Sequence, residues 1–183
     1  MEREMDLRGK EAVSLSSLVK QEYQIPDSYY FGEVKRGLRN SDGTGVLIGV
    51  TKVGSVQGYL IEDGRRIPVP GKLYYRGIDL NEIVEAHRKS GTFGYEEVAY
   101  LLLMGHLPTK SELSYFNDIM CRARKLPEGF TEGMIMRHPS RDIMNDLARS
   151  VLLLYSYDEN PDDISAENLL TQSIKLIGSF PAI

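Results

Sequence analysis

The sequence predicts a mainly α-helical fold with one small β-hairpin near the N-terminus. Three observations support this prediction. Apolar residues recur at helical spacing in about five segments after residue 79. Residues that favour helix caps stand at the beginnings and ends of most of these segments. Strand-like alternation is confined to about residues 46–69, which is too little for a sheet domain.

The composition is that of an ordinary folded protein. Of the 183 residues, 42% are hydrophobic and 26% are charged, which suggests neither disorder nor a fibrous repeat. The formal net charge of −4 gives no general attraction for polyanions, so we expect no nucleic-acid partner. No apolar run approaches the roughly 20 residues of a membrane span, and residues 1–10 alternate charges where a signal peptide would be hydrophobic. We therefore expect a cytoplasmic protein without a membrane partner.

Residues 1–36 are predicted to form an N-terminal arm, and residues 37–183 the main helical part. The arm has a modest helical pattern that breaks at Pro26 and at the aromatic residues 29–31. Residues 40–45 are rich in turn formers and predict a loop. Two glycines in this loop could suggest phosphate binding, but a plain turn is favoured because neither a Gly-Lys-Ser/Thr ending nor a helix follows.

The predicted hairpin occupies about residues 46–69. Its first strand-like residues are Val46, Ile48, Val50 and Val53. Residues 59–61 and 65–68 then flank residues 62–64, where Asp-Gly is a strong hairpin signal. Prolines at positions 68 and 70 have no N–H to donate, so the second strand is predicted to be an edge strand at most.

Residues 71–108 carry the clearest local signals. Residues 74–76 are predicted to form a packing turn. Asp79 is predicted to cap the next helix, with Glu82 completing a capping box and Gly91 ending the helix. A second helix is predicted from Gly94 to Gly105. The apolar face of the first of these helices is predicted to contain Leu80, Ile83, Val84 and His87.

The following helices are predicted from the same kinds of signal. Phe93 is expected to pack on Val98 as a hydrophobic staple. Thr109 is expected to cap a third helix in a Thr-Lys-Ser-Glu box, and Pro127 to end that helix. A short helical turn is predicted around Met134. The buried face of the third helix is predicted to contain Leu113, Phe116, Ile119, Met120 and Ala123.

Two more helices are predicted near the C-terminus. Ser140 is expected to cap a long helix whose wide apolar face implies burial on most sides. Ser165 is expected to cap the final helix, and nothing after it covers its apolar face, so this face is expected to need a partner. The residues of that face are Leu169, Leu170, Ile174, Ile177 and Phe180.

No catalytic, cofactor-binding or metal-ligating residue is assigned from the residues themselves. His87, His106 and His138 have no ligand spacing, and structural or surface roles are favoured for all three. Cys121 is the only cysteine, which rules out an internal disulfide, and it is predicted to be a core or half-buried residue. Helix starts, solvated faces and packing explain the remaining candidates, which are Glu96, Glu97, Asp162, Asp163, Arg65, Arg66, Arg122, Arg124, Lys125, Tyr23, Tyr29, Tyr30, Tyr74 and Tyr75.

Two stretches carry a resemblance to a known family. Residues 71–80 run Gly-Lys-Leu-Tyr-Tyr-Arg-Gly-Ile-Asp-Leu, and residues 94–109 run Gly-Tyr-Glu-Glu-Val-Ala-Tyr-Leu-Leu-Leu-Met-Gly-His-Leu-Pro-Thr. Both closely resemble the N-terminal part of citrate synthase. The likeness extends from residue 36 to residue 183, through segments 45–53, 142–151 and 179–182. Segments 35–40 and 157–161 are similar to a bacterial branch of the family.

The resemblance implies a helical large domain, a homodimer, and an acyltransferase of the tricarboxylic acid cycle that condenses acetyl-CoA and oxaloacetate to citrate and CoA. In that family an aspartate and two histidines act on the substrates, and arginines hold the dicarboxylate. These groups belong to segments downstream of the region that the chain resembles, so no histidine here is matched to a role. The chain is therefore expected to be an N-terminal portion, truncated before the catalytic segments, that binds no cofactor and is inactive alone. The alternatives are a 2-methylcitrate synthase or a standalone helical dimerisation or regulatory module.

Overall fold

A computed structural model describes residues 10–29 and 50–183. The predicted loop at residues 40–45, the aromatic residues Tyr30 and Phe31, and the strand-like residues Val46 and Ile48 lie outside the described residues. The described residues divide into two compact units, one within Lys20–Leu107 and one within Met1–Val19 and Pro108–Ile183. The boundary predicted between an arm and a main part at residue 36 remains a prediction.

The prediction of a mainly helical chain with a small sheet is confirmed. In the described part, one helix, α1 (Lys10–Glu22), precedes the sheet and is followed by a 3-10 turn, Asp27–Tyr29. A second 3-10 turn, Phe180–Ala182, follows the last helix. Five α-helices come after the sheet, as predicted: α2 (Leu80–Ser90), α3 (Tyr95–Met104), α4 (Lys110–Ala123), α5 (Ile143–Tyr155) and α6 (Ala166–Ser179). None of the described helices combines the length and apolar character needed to cross a bilayer.

The sheet has three antiparallel strands in the order β1 (Gly54–Glu62), β2 (Arg65–Tyr75) and β3 (Ile78–Asp79). Asp63 and Gly64 form the predicted tight turn, with φ angles of 48° and 73° that match a two-residue hairpin loop. The prediction that the second strand lies at an edge is wrong, because β2 pairs with both other strands. However, β3 is short and pairs only with Tyr74 and Tyr75, so the prolines of β2 face β1 alone.

The proline-containing part of β2 also breaks the register with β1. Gln57 pairs with Lys72, but Tyr59 pairs with Pro68, so that one residue of β1 faces residues 69–71 of β2. Because Pro70 lies in this irregular stretch, its missing N–H costs no ladder hydrogen bond. A sheet can therefore contain these prolines without losing its overall pairing.

The glycine and aspartate signals around α2 and α3 are confirmed. Asp79 caps α2 by accepting a hydrogen bond of 2.9 Å from the N–H of Asn81. The predicted capping box is wrong, because this bond goes to Asn81 and not to the N–H of Glu82. Gly91 ends α2 and Gly105 ends α3, both with positive φ. On the predicted apolar face of α2, Ile83 is buried, but Val84 is exposed, which corrects that part of the prediction.

The staple predicted between Phe93 and Val98 is wrong. The side chain of Phe93 is 96% exposed, so it does not pack on Val98 and does not stabilise the start of α3. The cause lies in the preceding turn, where His87 rather than Phe93 lies against the start of α3.

Helix α4 begins and ends as the sequence predicts. Thr109 and Glu112 form the reciprocal capping box, with distances of 2.7 Å and 3.3 Å. The helix ends at Ala123, whose carbonyl would accept from residue 127 if that residue were not a proline. A π-helical turn, Thr131–Met136, follows at the predicted place. The buried residues of α4 are Phe116, Ile119, Met120 and Ala123, as predicted, while Leu113 is half-buried.

The predicted cap of α5 is wrong by two residues. Asp142 is the N-cap, and its side chain accepts from the N–H of Asn145 at 3.2 Å. Ser140 instead accepts from the N–H of Asp142 at 3.0 Å and donates its own N–H to Asp146. Ser140 therefore shapes the turn before the helix, which is a common use of serine next to a cap.

The predicted burial of α5 on most sides is also wrong. One face carries Met144, Ala148, Leu152 and Tyr155, and we call these four residues the α5 stripe. All four are exposed, with Met144 at 70% and Leu152 at 74%. The opposite face, centred on the fully buried Ser150, is the one that packs inward. The long apolar pattern thus combines one packed face and one open face.

Helix α6 is capped by Ser165, as predicted, and packs against α4. Leu170 and Ile174 are buried, so the expectation that they form an open apolar face is wrong, whereas Leu169 and Phe180 are exposed. Gly178 provides the closest approach of the two helices, since a Cβ at this position would lie 2.5 Å from the Cβ of Ala123.

The hydroxyl of Ser150 yields a first prediction. Its Oγ is buried and has no hydrogen-bond partner in the described part of the chain, whereas the buried Ser179 donates to the carbonyl of Leu176 at 3.0 Å. Because an unsatisfied buried hydroxyl is costly, Ser150→Ala should raise the free energy of unfolding by about 1 kcal/mol. Ser179→Ala, the matched control, should lower it by about 1 kcal/mol. Urea denaturation would measure both, and a loss of stability in Ser150→Ala would contradict the prediction.

Candidate functional site

The densest side-chain network involving a histidine lies at the corner between α2 and α3. It consists of His87, Ser90, Thr92 and Glu97, and we call these four residues the histidine corner. Nδ1 of His87 lies 2.8 Å from Oγ1 of Thr92, and Nε2 lies 3.4 Å from a carboxylate oxygen of Glu97. Oγ of Ser90 lies 2.7 Å from Oγ1 of Thr92 and donates to the carbonyl of His87 at 3.2 Å.

Local backbone geometry brings these side chains together. Gly91 ends α2 with a positive φ, and the N–H of Thr92 then donates to the carbonyl of His87 at 3.1 Å. The imidazole lies against Gly94, where an added Cβ would come within 2.4 Å of its Cδ2 atom. A side chain at position 94 would therefore displace the imidazole, and the glycine leaves room for His87 to reach the first turn of α3.

The order hydroxyl, imidazole, carboxylate is also that of a hydrolytic triad. Two contacts argue against a nucleophilic role for Thr92. Its hydroxyl is shared with Ser90, and its N–H is already bonded to His87, so it cannot stabilise an oxyanion. The arrangement is suited to joining two helices rather than to attacking a substrate.

The other two histidines have separate surroundings. His106 is exposed, with Nδ1 at 3.0 Å from the carbonyl of Leu107 and its ring edge-on to Tyr100. His138 is exposed, and its carbonyl accepts from Arg149 at 2.9 Å. Among residues 10–29 and 50–183, no three His, Cys, Asp or Glu side chains are grouped as a metal site would require.

Arg76 ties the turn between β2 and β3 to the C-terminal end of α3. Its guanidinium donates to the carbonyl of Leu102 at 2.9 Å and lies 4.7 Å from the centre of the Tyr23 ring. The hydroxyl of Tyr23 donates to the same carbonyl at 3.1 Å. A cation is favourable at a helix C-terminus, where the carbonyl dipoles converge. This contact was not foreseen from the sequence, although an Arg-Gly pair in a tight turn signals an unusual backbone, and Arg76 has a φ of 48°.

The basic residues of the hairpin have partners of their own. Arg66 lies 4.1 Å from the centre of the Tyr59 ring, and Lys72 lies 3.5 Å from Asp79. The neighbouring Tyr74, and after it Asp79, raise the pKa of Lys72 above its ordinary value. These contacts fit the predicted solvated face rather than a dedicated anion site.

The acidic loop between α5 and α6 is held by local bonds. The hydroxyl of Tyr155 donates to both carboxylate oxygens of Asp162 at 3.0 Å, and this hydrogen bond raises the pKa of Tyr155. Asp163 accepts from the N–H of Ser165 at 2.8 Å, and Gln172 donates to Asp158 at 3.1 Å. The sequence explains Asp162 by the dipole at the start of a helix, and the structure adds a hydrogen-bond partner, Tyr155.

Cys121 is exposed, so the prediction of a core or half-buried cysteine is wrong. The buried face of α4 runs through Phe116, Ile119, Met120 and Ala123. Position 121 is one residue past Met120, which rotates it by about 100° away from that face.

Comparisons with known proteins agree on one family. A family model described as "Citrate synthase, C-terminal domain" matches residues 42–183. The citrate synthase of Haloferax volcanii is 31% identical over 156 residues, which are 83% of this chain and 36% of that protein. The 2-methylcitrate synthase of Shewanella oneidensis is 31% identical over 111 residues, which are 61% of this chain and 27% of that protein.

A solved structure gives the same result for the fold. The crystal structure of citrate synthase from Pyrobaculum aerophilum aligns with a TM-score of 0.54 and 28% identity. The alignment covers 82% of this chain and 38% of that one. The chain therefore spans well under half the length of the relatives that it matches.

Proposed function

The chain belongs to the citrate synthase family, and from this membership we propose that it forms the N-terminal helical scaffold of an enzyme that condenses acetyl-CoA with oxaloacetate. The products are citrate and free CoA, and the reaction takes place in the cytoplasm as the entry to the tricarboxylic acid cycle. The match of residues 42–183 to the family model is the observation that carries the assignment to this chemistry. The proposed place in the N-terminal part of the enzyme rests on the resemblance of residues 71–80 and 94–109. Membership of the citrate synthase family implies that the whole enzyme is an acyltransferase.

The reacting side chains lie outside this chain, in our proposal. The family resemblance calls for two histidines and an aspartate around one substrate, and the histidines described here each have their own neighbours. The residues that identify the family serve as caps and turns instead, as Thr109 and Arg76 do. The chain by itself therefore binds no cofactor, and acetyl-CoA and oxaloacetate are substrates of the whole enzyme.

A second candidate keeps the chemistry and changes the acyl group. The relatives include 2-methylcitrate synthases at an identity equal to that of a citrate synthase. The product of such an enzyme has one more methyl group, so its thioester substrate has one more carbon. A single methyl group in an apolar pocket changes selectivity by about 10- to 200-fold, and a few side chains suffice for that.

The direct test is oxaloacetate-dependent release of CoA by the protein purified from its natural source. The thiol is measured with acetyl-CoA and with propionyl-CoA in parallel. Faster release from acetyl-CoA supports a citrate synthase, and faster release from propionyl-CoA supports the second candidate. No release from either thioester would contradict both and would favour the standalone helical module.

The assembled protein is a homodimer in this proposal, and the α5 stripe is part of the contact between subunits. The stripe is apolar and exposed along three turns of the helix, with Ile143 and Met136 also exposed nearby in sequence. Exposed apolar patches of this kind usually mark interfaces. A standalone dimerisation module would use the same stripe, and the thiol assay separates that alternative from an enzyme. Neither nucleic acid nor a membrane is a partner in either case.

A further inference from the structure

We infer that the histidine corner is a proton-sensitive clamp that holds α2 and α3 together more firmly when His87 is protonated. The inference rests on the contacts of His87, Ser90, Thr92 and Glu97, and it does not depend on the proposed enzymatic function.

The network contains four polar contacts. They join His87 Nδ1 to Thr92, His87 Nε2 to Glu97, Thr92 to Ser90, and Ser90 to the carbonyl of His87. A hydroxyl has one proton to donate, and an imidazolium has two. With a protonated ring, Nδ1–H points to Thr92, Nε2–H points to Glu97, Thr92 donates to Ser90, and Ser90 donates to the carbonyl. Each contact then has its own proton.

With a neutral ring, three protons must serve the same four contacts. If the ring proton is on Nε2, Thr92 must donate to Nδ1, and Ser90 then supplies either Thr92 or the carbonyl but not both. If the proton is on Nδ1, the lone pair of Nε2 faces the carboxylate of Glu97 at 3.4 Å, which is unfavourable. Either tautomer weakens one contact between the helices or within the turn.

The charges around His87 support this assignment. A carboxylate oxygen of Glu97, from α3, lies within 4 Å of the ring, and the side chains of His87 and Glu97 are 17% and 28% exposed. Strands β2 and β3 also pack against α2. On these strands, Lys72 of β2 forms an ion pair with Asp79 of β3. On α2 itself, Arg88 forms an ion pair with Glu85.

The corner is expected to be firmer at low pH than at high pH. The clamp is complete when His87 is protonated and Glu97 is ionised, because each of the four contacts then has its own proton. As the pH rises and the ring loses its proton, the contact with Glu97 loses its charge and the corner loosens. The exchange of backbone amides in α2 and α3 reports this loosening directly.

The experiment compares the unsubstituted chain with Glu97→Gln by hydrogen-exchange mass spectrometry, always at the same pH for both proteins. At pH 5.5, peptides covering residues 80–104 should exchange about fivefold faster in Glu97→Gln than in the unsubstituted chain. A change of this size is what the loss of a partly exposed ion pair produces. At pH 8.5 the two proteins should differ by less than about twofold. Peptides from α6 should exchange equally in both proteins at both pH values.

Matched controls separate this effect from others. Glu96→Gln removes the neighbouring charge from the same first turn of α3, so it reproduces the effect on the helix dipole while the contact between His87 and Glu97 stays in place. It should have the same small effect at both pH values. His106→Gln and His138→Gln should leave the pH dependence of residues 80–104 unchanged, whereas His87→Gln should abolish it. An equal effect of Glu97→Gln at pH 5.5 and pH 8.5, or the same pH dependence in Glu96→Gln, would overturn the inference.

Discussion

Gly178→Val should lower the free energy of unfolding by about 3 kcal/mol, since it inserts a branched side chain where α6 touches α4. A Cβ at this position would lie 2.5 Å from the Cβ of Ala123 and 3.1–3.2 Å from its backbone carbonyl group. The obstruction is therefore mostly backbone and a short side chain, neither of which can move away at low cost. Chemical denaturation followed by circular dichroism would measure the loss.

A second helical glycine serves as the control for this substitution. Gly133 lies in the π-helical turn, and a Cβ added there would meet nothing within 4 Å. Gly133→Val should therefore change the free energy of unfolding by about 0.5 kcal/mol or less.

A second comparison combines two substitutions. Ala123→Gly should restore part of the stability lost in Gly178→Ala, because it removes the methyl group that the new Cβ would meet. Equal effects of valine at positions 178 and 133 would contradict the observed contact between α4 and α6.

Leu152→Asp should weaken dimerisation by about 100-fold or more, because it places an ionised carboxylate in the middle of the proposed apolar contact. Leu152 is 74% exposed in the isolated chain, so the substitution should change the stability of a monomer only slightly. Sedimentation velocity over a range of protein concentrations would give the dissociation constant of each protein.

The control for this experiment is an equally exposed apolar residue elsewhere. Val56, on β1, is 80% exposed and lies in the other compact unit. Val56→Asp should leave the dissociation constant within about threefold of the unsubstituted value. The proposed contact would be refuted if the unsubstituted chain were monomeric at about 50 µM, or if both substitutions weakened the dimer equally.

Features that depend on local sequence were predictable. The caps at Asp79, Thr109 and Ser165 and the helix ends at Gly91 and Gly105 are all where the sequence places them. Each depends on hydrogen bonds or backbone angles within a few residues, which a local pattern contains. The tight turn at residues 63–64 was predictable for the same reason.

Features that depend on a choice between two plausible local patterns were not predictable. Ser140 and Asp142 are both good caps, and the choice between them involves Asp146, which takes the N–H of Ser140. The pairing of β2 on two sides depends on the short strand β3, which has only two residues of its own. Local propensity cannot rank such alternatives, because more than one of the possible hydrogen bonds fits the same sequence.

Exposure was the least predictable property. The apolar pattern of α5 predicted burial on most sides, yet Met144 and Leu152 are open. A periodic pattern shows that a face is apolar but does not show what covers it. The histidine corner was unpredictable for a similar reason. The role of a histidine depends on the partners that orient it, and the partner of His87, Glu97, is ten residues away in the sequence.

The central claim is that this chain provides a scaffold of a condensing enzyme and not its reacting groups. It is tested most directly by thiol release from acetyl-CoA and propionyl-CoA with the purified 183-residue chain, after circular dichroism has shown that the chain is helical. We expect no release above the rate without protein, with or without oxaloacetate. Oxaloacetate-dependent release by the chain alone would contradict the claim and would place reacting side chains within these residues.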